Sequence, residues 1–172
     1  MSLIQDLLRK ALKMEPPRTF ISEPAIFITP SGDLVLDAGD AMCGVFQVKV
    51  PVSGIIQGAT LYDPSDVLSG GVNVALCRAR IAGGTVDAAF ALVDDDLVNV
   101  IYQLNFVTFF DMTNGLVSSI ENIGKRYRVP PEAPGGKMGI MYCQAATVGA
   151  ATIVAGSHPS LRLEIDPDEH VD

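Results

Sequence analysis

From residue 18 onward, glycine and proline punctuate the chain every few residues, and no later stretch keeps the apolar spacing that a helix needs. The segments between these breaks are rich in Val, Ile, Thr, Phe and Tyr, side chains that fit a pleated surface better than a helical one. Such a pattern predicts an all-β fold. Residues 45–50 alternate apolar and polar. A turn at residues 51–54 then leads into a strand over residues 55–62. Strict two-residue alternation puts Ile56, Thr60 and Tyr62 on one face with Gly58, and Ile55, Ala59 and Leu61 on the other with Gln57.

The next signal is the Asp-Pro-Ser-Asp turn at residues 63–66, where Asp63 and Asp66 are suited to capping local backbone N–H groups. A strand over residues 72–81 follows, with Val72, Val74 and Leu76 on a core face that Arg78 and Arg80 continue beyond the core edge. Gly83-Gly84 closes it. A loop with a single helical turn leads to a long strand over residues 97–110. Asn114-Gly115 predicts a type I′ hairpin, because both central positions of that turn need positive φ. Residues 116–120 should pair back, and strands are expected near 137–146, 151–155 and 160–165. About eight strands separated by turn signals imply an antiparallel β-sandwich or jelly roll.

Ahead of the β region, Ser2 and Gln5 form a capping-box pattern. Leu3, Ile4, Leu7, Leu8, Ala11 and Leu12 repeat at helical spacing until Pro16-Pro17. An amphipathic helix of about three turns is marginal alone and needs a surface for its leucine face, on its own domain or on a neighbour. Residues 23–36 read as a hairpin or an arm carrying short strands. The chain thus divides into a helix and arm (1–37), a β-sandwich domain (38–166) and an acidic tail (167–172).

Of the 172 residues, 48% are apolar and only 19% charged, against a usual charged share of about 25%. That excess implies apolar surface hidden between chains. The richest stretch, residues 98–110, is broken by Asn99, Gln103, Asn105 and Thr108, so no membrane span is expected. A net charge of −8, with acids gathered at Asp94-Asp95-Asp96 and residues 166–172, opposes binding to nucleic acid. The basic cluster Lys125, Arg126 and Arg128 is either a solvated loop or a contact for an acidic protein surface. Cys43, Cys77 and Cys143 are odd in number and widely spaced beside apolar runs, which predicts buried free thiols made in a reducing compartment. Asp6, Arg9 and Lys10 interrupt the amino-terminal apolar pattern, so no secretory signal is expected.

Catalysis needs a group that titrates near neutrality or an activated nucleophile. His170 sits in the acidic tail and His158 in a turn, and no spacing links either to a cysteine. Asp94-Asp95-Asp96 could offer oxygens to a divalent cation, but consecutive residues point different ways and the closing glutamate of a calcium loop is absent. No catalytic residue, metal ligand or cofactor is therefore expected. Sugar-binding modules favour aromatic platforms, above all Trp, and this chain has none. Phe90, Tyr102, Phe106, Phe109 and Phe110 gather around one predicted strand and suit a core or a subunit interface.

Four motifs occur in order: Val52-Ser53-Gly54-x-Ile56, Thr60-Leu61-Tyr62-Asp63 with Asp66, Val72-x-Val74-Ala75-Leu76, and Asp87-Ala88-Ala89-Phe90-x-x-x-Asp94. Together they resemble the β-sandwich head-decoration, or cement, proteins of tailed bacteriophages over residues 53–165. The helix of residues 3–14 and the acidic tail are additions to that family's minimal domain. The resemblance implies a non-enzymatic homotrimer at the capsid surface of a virion, bridging major capsid protein subunits after assembly in the host cytoplasm. Interface residues expected on this basis are Leu3, Leu7, Leu8 and Leu12 of the helix, and Phe20 and Phe27 of the arm. Tyr102, Phe106, Phe109 and Phe110 of the long strand, with Lys125, Arg126 and Arg128, complete the set. The alternatives are a tail, neck or baseplate component, a carbohydrate-binding sandwich, and a hydrolase built on a Cys-His pair.

Overall fold

The structure is a computed structural model that describes residues 19–27, 33–64, 68–156 and 158–168. The predicted amino-terminal helix, with Leu3, Leu7, Leu8 and Leu12, lies outside the described residues, as does the acidic tail beyond Asp168.

The described chain is nearly all β, and its strands pair antiparallel throughout. The largest sheet has six strands. At its centre β5 (Ser53–Asp63) is flanked by β12 (Ser160–Pro167) and β9 (Leu116–Arg128), with β1 (Phe20–Ile21) and β2 (Ala25–Ile26) beyond β12 and β8 (Phe110–Asp111) beyond β9. A second sheet runs β4 (Phe46–Pro51), β10 (Met138–Thr147), β6 (Val72–Cys77), β7 (Val100–Phe106). The small third sheet pairs β3 (Leu34–Leu36) with β11 (Ala151–Ile153). One helical turn, α1 (Asp94–Leu97), precedes β7.

All three sheets feed one hydrophobic cluster. Ile56, Leu61, Leu161, Leu163 and Ile165 enter it from the six-stranded sheet, and Val48, Val74, Leu76, Leu104 and Met141 from the four-stranded one. Leu36 and Ile153 come from the third. Each side chain removed from water in this way contributes roughly 1.5–3 kcal/mol, which is what holds sheets of unlike registry together. On β12 the alternation is regular: Leu161, Leu163 and Ile165 point inward while Arg162 and Glu164 stay exposed.

Strict alternation fails on β5. Ile56 and Leu61, expected on opposite faces, are both fully buried. The cause is a register shift between Ile56 and Gly58, so that Gln57 stands opposite the three residues 122–124 of β9. Asn122 and Gly124 adopt φ of 58° and 63° there, which lets the edge bulge and resets the phase of β5. A second shift between Glu164 and Ile165 matches it on β12.

The long strand expected over residues 97–110 is also corrected. Leu97 ends α1, β7 stops at Phe106, and Phe110 begins β8 in the other large sheet. Residues 107–109 carry the chain from one sheet to the other, which no two-residue periodicity reveals. The strand expected over 72–81 ends at Cys77, where the pairing with β7 shifts register. The hairpin at Asn114-Gly115 forms, but through residues 112–115: Met112 N–H donates to Gly115 O at 3.0 Å, and positive φ falls on Thr113 and Gly115. Glycine is required at 115, because a Cβ would lie 2.5 Å from Asp63 O.

Residues of the segment read as an arm are built into the sheets. Ser22 N–H donates to Leu163 O and Leu163 N–H to Ser22 Oγ, both at 2.9 Å. Phe27 N–H donates to Pro159 O at 2.8 Å.

Candidate interaction surfaces

The outer face of the six-stranded sheet carries residues that local sequence would place in water singly but that registry places in a row. Phe110 pairs with Val117, Val117 with Tyr62, Tyr62 with Ser160, and Ser160 with Ile26. Directly opposed residues share a face, so at roughly 4.8 Å per strand the row spans about 19 Å. Phe110 is 63% exposed, Ile26 55% and Tyr62 40%. Tyr62 is fixed by a hydrogen bond from its hydroxyl to Asn114 O at 3.1 Å. Val107 and Met112, also exposed, enlarge the apolar corner next to Phe110 in sequence.

A second surface lies where the free edges of the two large sheets approach. Beyond Val117, β9 pairs only with β5 among the described residues, and β7 ends its own sheet. Between them is a concavity of about 490 Å³ lined by Arg78, Lys125, Arg126 and Arg128, by Val100 and Ile101 of β7, and by Asp168. Arg78 comes from the end of β6, its backbone N–H donating to Asn99 O at 2.9 Å. Arg126 Nη1 donates to Asp168 Oδ1 at 2.7 Å and Oδ2 at 2.9 Å. The pair is solvated, so it contributes about 1 kcal/mol or less. The preceding Asp166 accepts from Thr19 Oγ1 and Gln57 Nε2, at 3.2 and 2.8 Å, which fixes the approach of Asp168. Arg78 also borders a second, smaller concavity of about 420 Å³ with Arg80, Glu132 and Tyr142.

The expected interface residues divide clearly. Lys125, Arg126 and Arg128 are exposed and brought together, and Phe110 is exposed. Phe20, Tyr102 and Phe109 are half-buried against the core. Phe27 and Phe106 are fully buried, Phe27 with its ring centroid 4.5 Å from that of Phe46. Both phenylalanines are consumed by the chain's own core and leave no area for a partner. Sequence reasoning missed Tyr62, Ile26, Arg78 and Asp168 as members of these surfaces. Only cross-strand registry joins them, and no local motif encodes it.

Several other buried or turn polar groups serve the fold. Gln144, fully buried, donates from Nε2 to Cys43 O at 3.1 Å and Gly84 O at 2.9 Å, and accepts Gly84 N–H at 2.8 Å. Asp63 Oδ2 accepts Leu68 N–H at 3.0 Å, the capping role expected of it. Asp96 is buried and its Oδ2 accepts Ala82 N–H at 3.0 Å, while Asp94 and Asp95 are exposed. Among the described residues, no three His, Cys, Asp or Glu are grouped to hold a metal ion. The cysteines are free and buried. Burial pushes the Cys43 and Cys77 thiols up to about 11 and raises Cys143 well above the ordinary thiol value, which keeps them protonated and poorly nucleophilic near neutrality. His158 stands exposed in its turn. No protein family, curated protein or solved structure matches the chain, so the two surfaces themselves carry the functional reading.

Proposed function

We propose that the chain is a non-enzymatic virion structural protein that decorates and stabilises a phage capsid by bridging major coat protein subunits as a homo-oligomer. In this reading it is a β-sandwich of the jelly-roll kind, a description supported by the common cluster that the two large sheets feed. The observation that carries the proposal is the row Phe110, Val117, Tyr62, Ser160 and Ile26 across five strands of one sheet face, apolar at every position but Ser160. A second copy of the chain covers that row, and the amino-terminal residues reach onto the coat lattice.

Apolar area covered in this way yields about 25 cal/mol per Å², against roughly 4–15 kcal/mol for lost freedom on association. A single small face is therefore a weak adhesive, and repetition on a symmetric shell supplies the strength. The test is a Tyr62→Ser, Phe110→Ser double variant of the full chain. Light scattering is expected to show a trimer for the parent and monomers for the variant, with far-UV circular dichroism unchanged and occupancy on undecorated shells reduced at least tenfold. A variant that keeps the parent's mass and shell occupancy would reject the row as the adhesive surface.

A further inference from the structure

The concavity between the free edges of β7 and β9 is more than a charged strand edge. Basic residues on an unpaired edge discourage unwanted strand addition, which accounts for Lys125, Arg126 and Arg128. It does not account for Arg78, which reaches the same space from the other sheet. Four of the chain's 12 basic residues line this one concavity, on a protein whose net charge is −8. The single acid among its lining residues is Asp168, which leaves an excess of three positive charges.

Asp168 shows how the site engages a carboxylate, with both oxygens within 2.9 Å of Arg126 Nη1. It arrives from just beyond the end of β12 and uses only one of the four cations. Val100 and Ile101 give the concavity an apolar wall, suited to the side chains that accompany acids in a peptide. A nucleic acid would instead need a basic track along which successive phosphates repeat. The surrounding acidic protein supplies no such track.

We propose that this concavity is a docking site for an acidic segment of a partner protein, with Asp168 as an intramolecular placeholder on Arg126. Arg78 and Arg128 take the partner's carboxylates, and Asp168 lowers affinity by neutralising Arg126 in advance. This stands whether or not the chain decorates a capsid, since it concerns a different surface from the apolar row.

The experiment uses the full chain and a fluorescently labelled synthetic peptide carrying residues 166–172, titrated by anisotropy. Saturable binding is expected, weakened about tenfold by Arg78→Ala or Arg128→Ala, strengthened severalfold by Asp168→Asn, and unchanged by Arg162→Ala, an exposed cation of β12 outside the lining of this concavity. A peptide with Asn and Gln in place of its acids should not bind. Thermal melts of each variant separate loss of the site from loss of the fold. Absence of saturable binding, equal binding of the neutral peptide, or an Asp168→Asn variant no tighter than the parent would overturn the proposal. So would a short single-stranded oligonucleotide that binds more tightly than the acidic peptide.

Discussion

The two longest strands of the carboxy-terminal half, β9 and β10, follow one another in the chain and have opposite fates. β10 pairs with β4 on one flank and β6 on the other, and most of its residues are buried. Among the described residues, β9 pairs on both flanks only at Leu116 and Val117, and from Ser119 to Arg128 all but Tyr127 are exposed or half-buried. Length does not decide the matter, because the less buried β9 is the longer, at 13 residues against 10. The difference lies in neighbours: a strand covered on both edges can spend its side chains on the core, while one with a free edge can carry charge. Accordingly β10 holds no charged residue, and β9 holds Glu121, Lys125, Arg126 and Arg128. Burial is concentrated in the first and exposed charge in the second.

That division is broken most severely by Gln144→Leu in β10. The apolar side chain would leave Gly84 N–H, Gly84 O and Cys43 O without their partner. At roughly 1–3 kcal/mol per stranded group, stability should fall by about 3–5 kcal/mol, measured by urea unfolding. A second effect is confined to alkaline pH. Cys43 and Cys77 ionise near 9.0 when unfolded but near 11 in the fold, so between these values the unfolded chain holds fewer protons than the native one. Their contribution to stability is complete below pH 9 and is lost as pH rises toward 11, by up to about 1.4 kcal/mol per thiol per pH unit. Unfolding midpoints measured from pH 7 to 10.5 should show the decline, and Cys77→Ala should make it shallower. The smallest effect belongs to β9, where Lys125→Ala should change stability by no more than about 0.5 kcal/mol in the same assay. A loss as large as that of the β10 variant would erase the contrast.

Much of the fold was legible because burial on one face imposes a two-residue period. Val48 and Val50, Val72 and Val74, and Leu161, Leu163 and Ile165 reveal their strands in this way. The period misled wherever registry changed. Gln57 shifts β5 by one residue, and residues 107–109 change sheets within what looks like one apolar run. The candidate surfaces were legible only in part. Lys125, Arg126 and Arg128 stand together in sequence, but Asp168 is 42 residues from Arg126, and Arg78 lies on another sheet. Tyr62 and Ile26 look like ordinary strand residues until five strands are laid side by side. Phe27 and Phe106 were drawn toward an interface by their aromatic character, although a large ring is equally suited to filling a core.

The reciprocal bonds of Ser22 and Leu163 bear on how the molecule carries load. Any pull applied at Thr19 first meets the Thr19–Asp166 bond, the short pairing of β1 with β12, and the two Ser22 bonds. β12 is in turn paired with β5 from Ser160 to Pro167. Tension entering at Thr19 thus passes through β12 to the central strand of the largest sheet. A tether attached there would load the centre of the largest sheet rather than its rim alone.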